Sequence, residues 1–319
     1  MKPDNPQPLF TVGIPAYNAS GTIKKTIQSI LGPARKFSVE IVVVDDGSKD
    51  SAELQAILKN FDQNLIKLVM LPENRGLANA RNVAIENASG EYFTPLDSDD
   101  EFVADWPVVF EKILAEWQKD YAHCEICFTQ CLDGQGKSTV TCPEYKGLMT
   151  LDDFLNQRYS GEYLPIFHTA FAKVHQYYDL GTKKSCGIIS YTNFAKLTQY
   201  FVTPDVLRIY HYGTPGSISV GWTQAHKARE SAQCMEAHLS MHGGLLKEKA
   251  PATYAGILLR LAVYKRMSGQ SGYWQDIKKS LSVSLDLQTF GAIVMVLFPN
   301  IAATLTHWAK QHGFIKKFG

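Results

Sequence analysis

Two hydrophobic periods alternate along the first hundred residues. Residues 10–16, Phe-Thr-Val-Gly-Ile-Pro-Ala, form an apolar run of strand length. From Ser20 the apolar positions move to Ile23, Ile27, Ile30 and Leu31, a helical stripe closed by Gly32-Pro33. Residues 39–44 are a near-continuous β-branched run, the pattern of a strand covered on both faces. Asp45-Asp46-Gly47-Ser48 reads as a turn, and Leu54, Ile57, Leu58 and Phe61 space a second helix. A third strand over 66–71, a third helix over 77–87 stopped near Ser89-Gly90, and a fourth strand over 92–96 complete the series. Such alternation predicts an α/β fold with right-handed crossovers and a mainly parallel sheet flanked by helices.

Beyond residue 105 the pattern is less regular. A helix is expected from 107 to about 131, carrying Val109, Ile113, Leu114 and Trp117, giving way to a cysteine-containing strand. Residues 133–137, Asp-Gly-Gln-Gly-Lys, read as a surface turn, and 206–210 as a further strand. From Gln224 to about Ser282 the chain reads as helical. Residues 290–305 are its most apolar stretch, but sixteen residues broken by Pro299-Asn300 fall short of the roughly 20 that span a bilayer. With Trp308, Lys310, Lys316 and Lys317 after it, the segment 290–317 suits peripheral contact with a membrane interface. A buried helix or a contact between copies in an oligomer is the alternative. The expected organisation is therefore 1–105, 106–223 and a helical C-terminal region, 224–319.

Composition narrows the partners. A chain of 319 residues with net charge +1 has no general electrostatic reason to bind nucleic acid, and 45% hydrophobic content excludes disorder. The opening, MKPDNPQPLF, has no apolar run of a secretory leader, so a cytoplasmic location with reduced thiols is the expectation. Cys124, Cys127, Cys131 and Cys142 invite a zinc reading. On a strand, however, Cys124 and Cys127 would face opposite sides, which favours small core residues instead.

Ligands of open α/β sheets bind at the carboxyl ends of the strands, so the polar residues there carry the chemistry. After the first strand come Tyr17 and Asn18, after the second Asp45 and Asp46, after the third Asn74 and Arg75, and after the fourth Asp97, Ser98, Asp99 and Asp100. Neither Gly-x-Gly-x-x-Gly nor a P-loop follows the first strand, so a bound phosphate would need another counter-charge. Asp97-Ser98-Asp99 supplies one if it holds Mg2+ or Mn2+, hard ions that complete their shell with water and substrate phosphates.

The stretch from Phe10 to about Phe102 resembles the nucleotide-sugar-binding half of a family 2 glycosyltransferase with the GT-A fold. The matching pieces are Val12-Gly13-Ile14-Pro15-Ala16-Tyr17-Asn18, Ile41-Val42-Val43-Val44-Asp45-Asp46-Gly47-Ser48, Asn74-Arg75-Gly76-Leu77-Ala78-Asn79-Ala80-Arg81-Asn82 and Leu96-Asp97-Ser98-Asp99-Asp100. The resemblance implies that Pro15, Tyr17, Asp45 and Asp46 lie around the nucleobase. A carboxylate at Asp46 would favour uracil, whose ring N–H is a donor. It implies Asn74, Arg75 and Arg81 near the diphosphate and donor sugar, Asp97 at the ribose, sugar or metal, Asp99 on the metal, and Asp100 beside them. His211, in Tyr210-His211-Tyr212-Gly213-Thr214-Pro215-Gly216-Ser217, resembles the segment that closes over the diphosphate.

The implied reaction moves one sugar from a nucleotide-sugar donor, a UDP-sugar by the Asp46 argument, to a glycan or glycolipid acceptor with inversion. No Gln-x-x-Arg-Trp motif of processive synthases is present. One departure stands out. The family's acidic pair, which deprotonates the acceptor, should fall near residues 188–191, and no Asp or Glu occurs between Asp179 and Asp205. Asp179 is the nearest candidate base, with Asp152, Asp153, Glu162, His168 and His175 as remoter ones. A donor-binding protein without turnover, and a nucleotidyltransferase, are the alternative functions.

Overall fold

The computed structural model describes residues 7–212, 224–283 and Ile293. Its elements in order are β1 (Phe10–Ala16), α1 (Ile23–Leu31), β2 (Val39–Asp45), α2 (Ser51–Leu58), β3 (Ile66–Met70), α3 (Leu77–Asn87), β4 (Tyr92–Pro95), β5 (Glu101–Phe102), α4 (Trp106–Asp120), β6 (Ile126–Asp133), β7 (Gly147–Met149), α5 (Leu151–Leu155), β8 (Tyr163–His168), α6 (Thr169–Val174), α7 (Gly187–Ala195), β9 (Tyr200–Tyr210), α8 (Ala225–Lys249), α9 (Pro251–Met267) and α10 (Tyr273–Leu281). The strands form one sheet in the order β3-β2-β1-β4-β8-β6-β9-β5, with β7 also paired to β9. The first four run parallel, β8 is antiparallel to both β4 and β6, and β9 runs parallel to β6. The carboxyl ends of β1, β2, β3, β4, β6 and β9 therefore share one edge, together with the start of β8.

Burial explains the central strands. Ile41, Val42, Val43 and Val44 of β2 are all fully buried, as a run covered on both faces requires. On one face Phe10 stacks on Phe110 at 4.2 Å between ring centroids, with Phe102 and Trp106 beside them, so α4 closes the core under β1. Helix α3 packs on β1 and β2.

Three differences from the expected elements have local causes. Helix α4 ends at Asp120 rather than near 131: the indole N–H of Trp117 donates to the Cys124 carbonyl at 2.9 Å and Cys124 N–H to the Tyr121 carbonyl at 2.8 Å, turning the chain into β6. Cys124 thus precedes the strand, escapes its alternation, and joins Cys127 and Cys131 in the same apolar cluster. Burial pushes the Cys124 thiol up to about 11 and that of Cys131 to about 12. Strand β8 carries Pro165 in its middle, a residue that argues against an interior strand; its carbonyl accepts the Thr94 hydroxyl at 2.7 Å. Strand β9 begins six residues before the expected 206, passing Pro204 where its register against β6 shifts between Phe128 and Gln130.

The chain divides into two compact units, one of Met1–Thr150 with Glu162–Thr214, the other of Leu151–Gly161 with Pro215–Gly319. In the second, α8 packs on α9 and α9 on α10. Among the described residues no helix is long and apolar enough to cross a membrane. The segment 290–317 lies outside the described residues except for Ile293, which packs against the cluster of Leu259, Ala262, Val263 and Ile277.

Helix α8 buries a pair of imidazoles. His238 and His242, one turn apart, bring their Nδ1 atoms to 3.3 Å, and each is almost wholly enclosed. Burial, reinforced by His242 and Arg260, pushes His238 down from 6.5 to about 4. A histidine whose folded pKa is depressed contributes stability that is complete above its unfolded pKa and lost as pH falls through the folded one. The helical unit should therefore hold its stability above about pH 6.5 and lose on the order of 1–3 kcal/mol as the pH falls toward 4. Urea unfolding of wild type and His238→Gln at pH 7 and pH 5 tests this: the variant should show the shallower pH dependence.

Candidate active site at the carboxyl edge of the sheet

Hydrogen bonds between the connecting segments build this edge. Asn18, in the left-handed region at φ 51°, accepts Lys49 N–H on its side-chain oxygen, while its own N–H donates to the Ser48 hydroxyl, both at 2.9 Å. Ser20 N–H donates to Asp50 and its hydroxyl to Glu53. The loop after β1 is thereby clamped to the loop after β2. Pro15 is buried within β1 opposite Val44, and Tyr17, just past the strand, is 47% exposed.

Asp45 and Asp46 end β2 almost without solvent contact. Asp45 accepts Ser48 N–H at 2.9 Å and shapes the turn. Asp46 reaches sideways: its two oxygens accept Arg75 N–H at 2.7 Å and Gly76 N–H at 2.9 Å, fixing the segment after β3. Burial raises the Asp46 carboxyl above the usual carboxylate range, opposed by those two N–H groups and by Lys183. Gly76 has φ 96°, and a Cβ there would overlap the Thr182 carbonyl; Lys183 Nζ in turn donates to the Asn74 carbonyl. The 182–183 backbone thus lies against the start of α3.

At the next strand end Arg81, on α3, pairs with Asp97 at 2.8 Å and lies over the Tyr177 ring at 5.5 Å. Burial alone would lower the guanidinium pKa, but the charge of Asp97, with Tyr177 and Tyr191, holds it above its ordinary value. Asp97 and Asp99 are half-buried and Asp100 is buried. Asp100 accepts His211 N–H at 2.9 Å and lies 3.5 Å from Arg208. Burial raises the Asp100 carboxyl, against the pull of Arg208. Arg208, on β9 and 3% exposed, also donates to Glu162 at 3.0 Å and from Nε to Cys131 Sγ at 3.1 Å. His211 Nε2 is 2.9 Å from Glu101.

Several buried polar atoms here have no hydrogen-bond partner, among them Asn74 Oδ1, Asn79 Oδ1 and Arg81 Nε. Orphans of this kind are costly in a folded protein, and a ligand carrying both hydroxyls and phosphates would satisfy acceptors and donor alike.

The glycosyl transferase family 2 model matches residues 11–176, just over half of the chain. The chain belongs to glycosyl transferase family 2. A glucosyltransferase of Campylobacter jejuni, named GalNAc(5)-diNAcBac-PP-undecaprenol beta-1,3-glucosyltransferase, is 24% identical over 92% of this chain and 94% of its own length. Glycosyltransferase GlyA of Streptococcus pneumoniae is 38% identical over 35% of this chain, which spans only 16% of that protein. The GT-A fold is shared with S. aureus TarS 1-349 in complex with UDP-GlcNAc, at 19% identity and TM-score 0.56 over 90% of this chain and 79% of that one. It is shared also with the mannosyltransferase PcManGT of Pyrobaculum calidifontis in complex with GDP-Man and Mn2+, at 18% identity and TM-score 0.52 over 96% of this chain and 89% of that one.

Within this family 2 chain the candidate bases separate by position. Strand β8 pairs His168 with Tyr92, the first residue of β4, so His168 lies at the opposite edge, bonded to Glu125. Asp179 is exposed and its Oδ1 accepts Gly181 N–H at 2.8 Å, a turn interaction. Asp152 and Asp153 belong to the helical unit and pair with Arg158. Glu162 reaches the edge through Arg208. Sequence patterning passed over Arg208, Tyr177 and Glu101, although an arginine between Leu207 and Ile209 in a β-rich run is itself a sign of a buried charge needing partners.

Asp97 and Asp99 suit a hard divalent ion by donor type. Among the described residues no three His, Cys, Asp or Glu side chains are grouped to cage one, and Mg2+ or Mn2+ held by one or two carboxylates needs none, because water and phosphate fill the remaining positions. The Gly76 packing gives a direct test of the edge: Gly76→Ala, strained at φ 96° and pressed on Thr182, should cost about 1–3 kcal/mol in urea unfolding.

Proposed function

We propose that the protein transfers a single sugar from a UDP-sugar to a hydroxyl of a glycan or glycolipid, with inversion at the anomeric carbon. The observation that carries this reading is the polar edge itself. Arg81 on α3 paired with Asp97 after β4, Asp99 two residues on, and the unsatisfied atoms of Asn74 after β3 and Asn79 on α3 are groups that would complement a sugar diphosphate. Tyr17 would offer its exposed ring to the base, and Asp46 would accept uracil N–H; each carboxylate oxygen has a second lone pair beyond the backbone N–H it already holds. Asp99, with Asp97, would hold Mg2+ or Mn2+, whose chemistry when bound is to neutralise charge on the departing diphosphate. Arg81, fixed by Asp97, would meet the same diphosphate, and His211, fixed by Asp100 and Glu101, would meet the leaving group.

A lipid-linked acceptor is supported by the full-length similarity to the Campylobacter glucosyltransferase, whose name carries an undecaprenol-linked glycan. Release at the cytoplasmic face of a membrane, with residues 290–317 as the peripheral contact, fits such an acceptor. The stretch without acids between Asp179 and Asp205 favours one second reading, donor binding without transfer.

Calorimetry with UDP checks the donor site. Mn2+ should tighten UDP binding in the wild type, and Asp99→Ala should weaken that metal-dependent binding by about 10-fold or more. Unchanged Mn2+ dependence in the variant would remove Asp99 from the site. UDP release from UDP-glucose, UDP-galactose or UDP-GlcNAc would exclude binding without turnover.

A further inference from the structure

We propose that Glu162, at the start of β8 and outside every segment that supplies the donor site, is the general base that deprotonates the acceptor hydroxyl. The proposal rests on the transferase reading above. In that reaction the hydroxyl oxygen bonds to the anomeric carbon, and the bond from that carbon to the diphosphate oxygen breaks with its electron pair going to the nucleotide. The hydroxyl proton passes to a carboxylate within about 3 Å and then to solvent. No oxidant or further reactant is involved.

Most carboxylates at the working edge have specific partners, Glu101 on His211 and Glu162 on Arg208 among them. Asp45 shapes its turn, both oxygens of Asp46 hold backbone N–H groups, Asp97 is paired with Arg81, and Asp100 is buried against His211 and Arg208. Glu162 differs in three ways. Its strand runs against β4, which brings the residue before Tyr163 to the end where Asp97–Asp100 lies. Its Oε1 is 3.0 Å from Arg208 NH2, and NH1 of the same guanidinium is 3.5 Å from Asp100, so a single planar group separates Glu162 from the acidic segment. Its side chain is 36% exposed while Arg208 is 3% exposed, which places the carboxylate at the solvent-facing end of a buried clamp.

The neighbourhood agrees. Thr139 holds Glu162 at both ends: Glu162 N–H donates to the Thr139 carbonyl, and the Thr139 hydroxyl donates to the Glu162 carbonyl. Tyr191, on the helix that carries no acid, is raised first by burial and further by the charge of Glu162, against Arg81 and Arg208. The carboxylate is thus near enough to α7 for its charge to act on Tyr191, while Arg208 links it to the acidic segment. Arg208 acts through Glu162 and Asp100 as a positioning residue: it sets the angle of both.

Glu162→Gln tests this, since the amide oxygen can still accept from Arg208. UDP release from UDP-glucose, UDP-galactose and UDP-GlcNAc with Mn2+, in which water takes the place of the acceptor hydroxyl and loses its proton to the same base, would be measured beside UDP binding and thermal unfolding, with Asp179→Asn in parallel. The expected result is an about 100-fold or greater fall in release for Glu162→Gln, with UDP affinity kept and the protein still folded at the assay temperature, because Asp100 and the amide oxygen still face Arg208, and little change for Asp179→Asn. Release by Glu162→Gln within about threefold of wild type overturns the proposal. So does a wild type that binds UDP with Mn2+ but releases none from any donor. A wild type that binds no UDP overturns the donor-site reading instead.

Discussion

Burying a guanidinium is tolerable only when carboxylates surround it, and this sheet does so twice at the same edge. Arg81 is matched by Asp97, and Arg208 by Glu162 and Asp100. Each pair ties an element of the scaffold to a segment of the candidate site: α3 to the end of β4 in one case, β9 to the acidic segment and the start of β8 in the other. Such pairs add little net stability compared with apolar packing, yet removing one partner strands a buried charge at a cost of about 3–5 kcal/mol. The geometry of the edge is thus enforced by the penalty for leaving it.

The chemistry asks for that rigidity. Transfer requires a donor, an acceptor and a proton acceptor in register, and misplacement by an ångström can cost about two orders of magnitude in rate. The hydrophobic side of the sheet supplies a stiff base, with the ring cluster of Phe10, Trp106 and Phe110 beneath β1. The polar side then fixes the loops against one another, from Asn18 to Ser48, from Asp46 to Gly76 and from Asp100 to His211.

Legibility in the sequence followed locality. The first seven elements were readable because each has a single period and turn residues at both ends, and the resemblance carried by residues 10–102 led to the family that the comparison bears out. The second half was harder for a physical reason. Pro165 and Pro204 interrupt strands that the tertiary pairing nonetheless completes, so local propensity and sheet register disagree there. The same holds at the site. Asp97 and Asp99 become candidates by their spacing alone, whereas the proposed place of Glu162 depends on a strand reversal and an arginine forty-six residues away. Pairings of that span leave no periodic trace.

The interlocked loops after β1 and β2 also bear on how a ligand would be received. Asn18, Ser48, Lys49, Ser20, Asp50 and Glu53 are already engaged without one. Their conformational entropy is lost during folding, so a nucleotide arriving at this end meets a surface that needs no ordering, sparing about 0.5–1.5 kcal/mol for each side chain that would otherwise be immobilised. Preorganisation of this kind would make recognition of a base resemble a lock already cut.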